Sequence, residues 1–473
     1  MTRWALCAAA LSAAALLISS SGPAPIARAA TGPPNIVVIL TDDQRYDGVG
    51  SMPNVKRLLV AHGVRFTNAF DNNPLCCPAR ATMLTGQSSG HTGVWWNVNG
   101  PDGGFNAFEP HEGQTLATWL HGAGYRTGLF GKYMNGYRAA TAGHVPPGWD
   151  DWQALVLEGG GCPTGGYFGE CVSDNGILEQ SGTTQAEYST TVLGNRAVGF
   201  VDQAPAAQPL FLYFAPRAPH LPTTPEARYA SACAGFPTPH RPNYNEADVS
   251  DKPAYIRALP ALGAPKQAVW DGHWRDACRT LRSVDDQVGR IVDALSSTGR
   301  LDNTLILFAS DNGMLFGEHR WTNKIVPYEE ALRVPLVVRW DAVGTAGTTT
   351  PALVSNMDFA ETIMDAAGVP FPAGYVTDGQ SLLPLVTGSG SIAKEKILIE
   401  HGGGVAVPAY CGVRVQGWTF ARYATGEEEL YNLSADPWET QNVAADPDQA
   451  ARLDRLRAMA QRLCVPTPPD FSW

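Results

Sequence analysis

The chain lacks an excess of basic residues: 34 lysines and arginines stand against 45 aspartates and glutamates in 473 residues, a formal net charge of −11. Nucleic acid and anionic membrane surfaces reward the opposite sign, which excludes both as partners. Charge of either sign is scarce, at 17%, while 44% of the residues are hydrophobic. That balance excludes a disordered chain and leaves enough material for two domains with cores of their own. No internal repeat and no long low-complexity tract is present. The chain also has no comfortable membrane span, because its first apolar run, Trp4 to Ile18, is too short. With Arg3 before it and Ala27-Arg28-Ala29 after it, that run reads as a secretory signal over 1–30, cleaved near Ala29 or Ala30. Twin arginines are absent and Cys7 lacks a lipoprotein context. The expected product is soluble, without stable membrane insertion, on the extracellular or cell-envelope side.

Apolar runs of strand length alternate with helical spacing. Asn35 to Leu40, Arg126 to Phe130, Leu210 to Phe214, Thr304 to Ala309 and Pro335 to Val338 read as strands of a mostly parallel sheet. Leu281, Val284, Val288, Ile291, Val292 and Leu295 recur at helical spacing, with Gly299 as a stop. The fold class expected is α/β, a large mostly parallel sheet with helices on both faces, over 31–390. Linker-like composition at Thr387-Gly388-Ser389-Gly390-Ser391 precedes three further strands, Lys396 to Glu400, Gly412 to Val415 and Thr419 to Tyr423, and a charged helix from Asp448 to Leu463. This second unit, 391–473, reads as a smaller C-terminal α+β domain.

Open α/β sheets bind ligands beyond the carboxyl ends of their strands. Just past four of these strands lie Thr41-Asp42-Asp43-Gln44, Gly131-Lys132, Ala218-Pro219-His220-Leu221-Pro222 and Ser310-Asp311-Asn312-Gly313. On a regular strand Asp42 and Asp43 would point to opposite faces, so only a loop lets both turn to one ion. Asp42, Asp43, Asp311 and Asn312 offer oxygen donors alone, a ligand set for a hard cation: Ca²⁺, with Mg²⁺ as the alternative. Taken singly, each segment is equally a helix cap or a turn.

The run Leu75-Cys76-Cys77-Pro78-Ala79-Arg80-Ala81-Thr82-Met83-Leu84-Thr85-Gly86 carries a Cys-x-Pro-x-Arg core and a Leu-Thr-Gly tail. Pro78 suits the first position of a helix, which places Cys76 at or just before a helix N-terminus, where free N–H groups and the dipole favour anions. The run resembles the signature of the type I, formylglycine-dependent sulfatases of the alkaline phosphatase superfamily, although many of them carry serine where this chain has Ala79. The resemblance extends from Asn35 to about Asn442.

The resemblance implies that a formylglycine-generating enzyme oxidises Cys76 during maturation to an aldehyde, whose hydrate carries two hydroxyls on one carbon. One attacks a sulfate ester; the other then expels sulfate by re-forming the aldehyde. It implies metal ligation by Asp42, Asp43, Cys76, Asp311 and Asn312, and catalytic roles for Arg80, Lys132, His220 and Lys324. An unperturbed imidazole titrates near neutrality, which makes His220 the expected donor to the leaving alcohol. Many family members place a histidine two residues past the lysine, where this chain has Met134. The Lys132-Tyr133-Met134-Asn135 variant and the Cys-Cys-Pro start resemble the N-acetylglucosamine-6-sulfatase subgroup, so Asn135 is expected to meet substrate; His319 is expected either to share proton transfer with His220 or to bind substrate, and reads equally as a structural residue. The substrate implied is a sulfated small molecule or glycan. Trp95 and Trp96 read as packing residues or a sugar platform, and the loop from Pro147 to Asn175, with Trp149 and Trp152, as the pocket rim.

With Cys7 leaving in the signal and Cys76 converted, seven of the nine cysteines remain. Cys162 and Cys171 flank a short Gly-rich loop and form the first candidate pair, followed by Cys233 with Cys278 and Cys411 with Cys464; Cys77 is left over. Spacing alone does not fix this connectivity. Two alternatives to a sulfatase stand: a formylglycine-dependent phosphodiesterase or phosphonate hydrolase, and an inactive secreted carbohydrate-binding relative.

Overall fold

In strand β1, Asn35–Thr41, alternate residues serve two different cores. Ile36, Val38 and Leu40 pack on one face of the sheet with Met83, Leu120 and Ile363, while Val37 and Ile39 pack on the other with Leu193, Phe200, Val288 and Ile291. A strand that is apolar at every position needs cover on both sides, and helices supply it. Cys76–Thr85, Leu116–Gly122 and Asp358–Ala367 lie on the first face; Ser189–Gln203 and Ala264–Ser297 lie on the second. This computed structural model describes residues 1–2, 32–157, 159, 161–162, 166–343, 347–392, 394–404 and 406–473. Except for its first two positions, the signal reading, 1–30, lies outside the described residues. Among those residues no helix is long and apolar enough to cross a membrane.

The main sheet adds β2 Val64–Phe70, β3 Arg126–Gly131, β4 Asp151–Val156, β5 Cys171–Asp174, β6 Ile177–Gln180, β7 Leu210–Ala215, β8 Thr304–Ser310, β9 Leu336–Arg339 and β10 Thr348–Ser355. Their spatial order is β10-β2-β9-β8-β1-β7-β3-β4-β5-β6. The central run β8-β1-β7-β3-β4 is parallel, whereas β9 is antiparallel to both β2 and β8, and β5 and β6 close one edge antiparallel. Thus the strand expected at Pro335 to Val338 exists but runs against its neighbours. The segment from Pro147 to Asn175, expected at the pocket rim, contributes β4 and β5 to the sheet, and Trp152 is fully buried on β4, edge-on to Tyr133 and Tyr137. Pro78 is the third helical residue, not the first. That position costs nothing, because the first N–H groups of a helix have no intrahelical acceptor.

A second sheet, β11 Lys396–His401, β12 Tyr410–Val415, β13 Trp418–Tyr423 and β14 Glu428–Asn432, is an antiparallel meander backed by the helix Ala450–Leu463. Disulfides join Cys162 to Cys171, Cys233 to Cys278 and Cys411 to Cys464, and leave Cys76 and Cys77 as buried free thiols.

Glu400 fastens this sheet to the segment that leads into Cys76. Its Oε1 accepts from Asn72 Nδ2 and from Ser89 N, both at 2.9 Å, while Oε2 is buried without a partner. Burial pushes the carboxyl up from 4.5 to about 8. Between those values the folded chain binds more protons at this site than the unfolded one, so stability falls as pH rises through the window. Glu400→Gln cannot ionise. Its melting temperature should exceed that of the parent at pH above 8 and converge with it near pH 4.5. Parallel pH profiles in differential scanning calorimetry would contradict this assignment.

Candidate active site

The carboxyl ends of β1, β3, β7 and β8 lie side by side, and their loops meet there. Asp43 has φ +69, the left-handed region. This turn immediately after the strand brings both aspartates to one place, as their adjacency requires. Gly131, with φ +130, ends β3 where an added Cβ would meet Ala215 O at 2.0 Å. Only glycine permits this approach, and it delivers Lys132, whose N donates to Ala215 O at 2.7 Å.

Cys76 opens its helix, fully buried. Its Sγ lies 2.8 Å from Lys324 Nζ and 3.6 Å from Asp42 Oδ1. Lys132 Nζ donates to Asp42 Oδ2 at 2.6 Å, and Lys324 Nζ also pairs with Asp43 Oδ1. Arg80 Nε and Nη2 hold Asp311 Oδ2 at 2.9 and 2.8 Å, and its Nη1 donates to Lys132 O at 2.7 Å. Asp311 Oδ1 accepts from Asp43 N at 3.0 Å, and Asn312 Nδ2 donates to Asp43 Oδ1 at 2.6 Å. Three buried carboxylates therefore face three buried cations within one hydrogen-bonded cluster.

Burial opposes ionisation of Asp42, yet Lys132, His220, Arg80 and Lys324 overcome it and hold the carboxyl well below its ordinary range. Asp43 is lowered against burial by Lys324 and His220. Asp311 goes the other way: burial, and then the Asp42 charge, push it up to about 6. Burial raises the Cys76 thiol against the pull of Lys132 and Lys324.

His220 keeps 25% of its side chain exposed, and its Nε2 lies 3.7 Å from Asp43 Oδ2. Its Nδ1 contacts Leu221 O. With a proton on Nδ1, Nε2 presents a lone pair to the aspartates. Burial pushes the imidazole down to about 4, against the attraction of Asp42 and Asp43. The near-neutral value expected from sequence is thereby corrected, because the ring loses water on entering the cluster.

The residues fit a hard divalent cation. Ligand atoms of Asp42, Asp43, Cys76 and His220 lie within 4.8 Å of one another. Asn312 Oδ1 is buried without a hydrogen-bond partner, so an oxygen donor stands unused beside two ionised carboxylates. The sequence pattern did not place an imidazole in this group. Asp311 adjoins it with both oxygens engaged.

Asn135 reaches the neighbourhood through Cys77: its N donates to Cys77 Sγ at 3.1 Å, and its Oδ1 lies 3.6 Å from that sulfur. His319 does not reach it. That ring is fully buried with Nδ1 2.7 Å from Glu246 Oε2, stacked on Tyr328 at 4.1 Å. Trp95 is buried, and Trp96 sets its edge on His401 at 5.0 Å. One supporting residue escaped the sequence reading: Asn97 Oδ1 accepts from Cys77 N at 2.8 Å and so caps the Cys76 helix from outside. No local capping pattern marks it, since Leu75, the residue before the helix, makes no side-chain cap.

A helix N-terminus, buried lysines and paired carboxylates at the carboxyl edge of a doubly covered sheet define a hydrolase of anionic esters. The family model described as Sulfatase matches residues 34–369, and one described as N-sulphoglucosamine sulphohydrolase, C-terminal, matches 317–464. An arylsulfatase of Volvox carteri is 32% identical, over 93% of this chain and 76% of its own length. The N-acetylglucosamine-6-sulfatase of Homo sapiens is 30% identical, over 93% of this chain and 86% of its own. A structure solved with its substrate D-glucosamine-2-N,6-O-disulfate superposes with a TM-score of 0.77 at 24% identity, covering 93% of this chain and 99% of that one. The chain belongs to the sulfatase family, as a sulfuric ester hydrolase of the N-acetylglucosamine-6-sulfatase-like group.

Proposed function

We propose that this enzyme is exported and hydrolyses sulfate monoesters of sugars in sulfated glycans, with residues 31–390 carrying the site and 391–473 closing it. The observation that carries the reading is Cys76 Sγ at a helix N-terminus, 2.8 Å from Lys324 Nζ and beside Asp42. The intact Cys-x-Pro-x-Arg run supports modification of Cys76 by a formylglycine-generating enzyme. Bound together, a formylglycine hydrate and a Ca²⁺ or Mg²⁺ ion would supply a two-hydroxyl nucleophile and Lewis acidity.

Asp42, Asp43, Asp311 and Asn312 would hold the ion, with residue 76 and His220 at its side. Lys132 and Lys324, which pair with Asp42 and Asp43, would balance charge on the sulfate oxygens once those carboxylates turn to the ion. Arg80 fixes Asp311 and the Lys132 carbonyl. His220, the most exposed of these groups, would face the leaving alcohol and pass it a proton taken up from solvent. Asn135 meets the sugar. The sugar itself is supported by the named amino-sugar sulfatase relative and the neighbour's disulfated glucosamine. Three disulfides support export to an oxidising compartment.

The test is turnover of sulfated glucosamines and an aryl sulfate beside an aryl phosphodiester of matched leaving group, with mass spectrometry of the peptide spanning residue 76. Sulfates should be preferred, EDTA should abolish activity and Ca²⁺ should restore it. An intact thiol with no turnover would favour the binding relative, a preference for the diester would favour the phosphodiesterase, and full activity in metal-free protein would remove the ion.

A further inference from the structure

On the helix Ala450–Leu463, Leu453, Leu456 and Ala460 turn inward, whereas Arg452, Arg455 and Met459 share another face at helical spacing. That second face lines a groove of about 420 Å³ whose other side is built from β10, the edge strand of the main sheet, and the approach to β11. Its floor is apolar, with Leu353, Ile392 and Val415, and its walls are cationic. Lys394, Lys396, Arg452 and Arg455 line it against the single acid Glu395. In a chain with 45 acids and 34 bases the ratio is inverted here.

Lys394 is spoken for by Asp358. Lys396, Arg452 and Arg455 make no ion pair among the described residues, although acids of the same helix do pair elsewhere, Asp454 with Arg457. Arg452 lies over the Trp418 ring at 4.3 Å, which holds its guanidinium in place beside the groove. An apolar floor with fixed cations on its walls suits a sugar ring with anionic substituents better than a peptide or a lipid.

We infer that this groove is a second binding site for a sulfated polysaccharide, a docking surface for chains longer than the unit being hydrolysed. The inference rests on the reading that the substrate is a sulfated glycan. Strand β11 starts at the groove with Lys396 and ends at His401, whose Nδ1 lies 3.3 Å from Asn73 Oδ1, close to Cys76 in sequence. The strand spans about 17 Å. The groove thus lies at the outer end of a buried strand, apart from Cys76, and would engage a part of the glycan other than the unit being hydrolysed.

The test uses the full-length enzyme, with binding to heparin, to N-acetylated and desulfated heparin, and to inorganic polyphosphate, beside a Lys396→Glu/Arg455→Glu variant. Heparin should bind at physiological ionic strength with salt-sensitive affinity, and the desulfated polymer should not. The variant should lose about tenfold or more in affinity for heparin and in kcat/KM on the polymer, while its melting temperature and its turnover of aryl sulfate and sulfated monosaccharide stay unchanged. Equal binding of the two heparins, tighter binding of polyphosphate, or a variant that binds like the parent would overturn the inference. Unchanged binding with new aggregation would do the same, since edge-strand cations then serve only to block sheet pairing. If no sulfate ester is hydrolysed yet heparin binding is lost in the variant, the groove stands and the catalytic reading falls.

Discussion

Cys76→Ser should end turnover and leave the protein carrying one covalently bound sulfuryl group. The serine Oγ would sit where Sγ sits now, 2.8 Å from Lys324 Nζ and 3.6 Å from Asp42 Oδ1, at the mouth of the same helix. Its single hydroxyl can be positioned to accept sulfate as well as any nucleophile there. What the serine lacks is a second hydroxyl on the same carbon, so nothing on the residue can expel the group once it has arrived. Multiple turnover should fall on the order of 10⁵-fold or more, the size of loss expected on removal of an enzymic nucleophile. Intact-mass spectrometry after incubation with substrate should show the adduct at about one per chain. Metal-dependent thermal stabilisation should persist, because the aspartates and Asn312 are untouched. Sustained multiple turnover by the serine variant would reject the two-hydroxyl account, and loss of the metal response would show that the change had damaged the site more widely.

Much of this site is legible in the sequence because fully buried parallel strands are apolar at every position. β1, β7 and β8 announce themselves that way through their central residues, β3 does so only through Leu129 and Phe130, and the residues past their ends are then few enough to inspect. The need for a loop at Asp42-Asp43 comes from side-chain alternation alone, and the structure meets it with a left-handed Asp43. Where sequence fails, the cause is distant packing. β6 is exposed at all four of its positions and joins the sheet only through its neighbour β5, so no burial pattern marks it. Trp152 reads as a rim residue because its strand lies among glycines and polar residues. His220 is pushed down to about 4 by elements that meet only in the folded chain, and His319 is drawn away by Glu246 and Tyr328. The same holds for Asn97, which caps a helix that begins 21 positions before it.

Arg80 should matter twice, to stability and to rate, and the two effects separate. Its guanidinium is 1% exposed and grips the equally buried Asp311 through two nitrogens. Arg80→Ala strands that carboxylate with one backbone N–H as its remaining partner on the protein, the N of Asp43. Breaking a buried pair from one side costs about 3–5 kcal/mol, since the surviving charge keeps its desolvation penalty and loses its counterion. Asp311 already stands at about 6 with Arg80 in place. Without it the carboxyl moves higher and takes up a proton more readily, so metal binding by the variant should weaken more steeply as pH falls than binding by the parent. Turnover should drop about 10²- to 10³-fold, the scale of losing one preorganised electrostatic group. Pairing Arg80→Leu with Asp311→Asn removes both charges, and this double variant should regain most of the melting temperature while regaining none of the activity. Recovery of activity along with stability would reduce Arg80 to a packing residue. An Arg80→Ala protein that melts and turns over like the parent would remove it from the site altogether, and with it the reason the motif spaces an arginine four residues beyond Cys76.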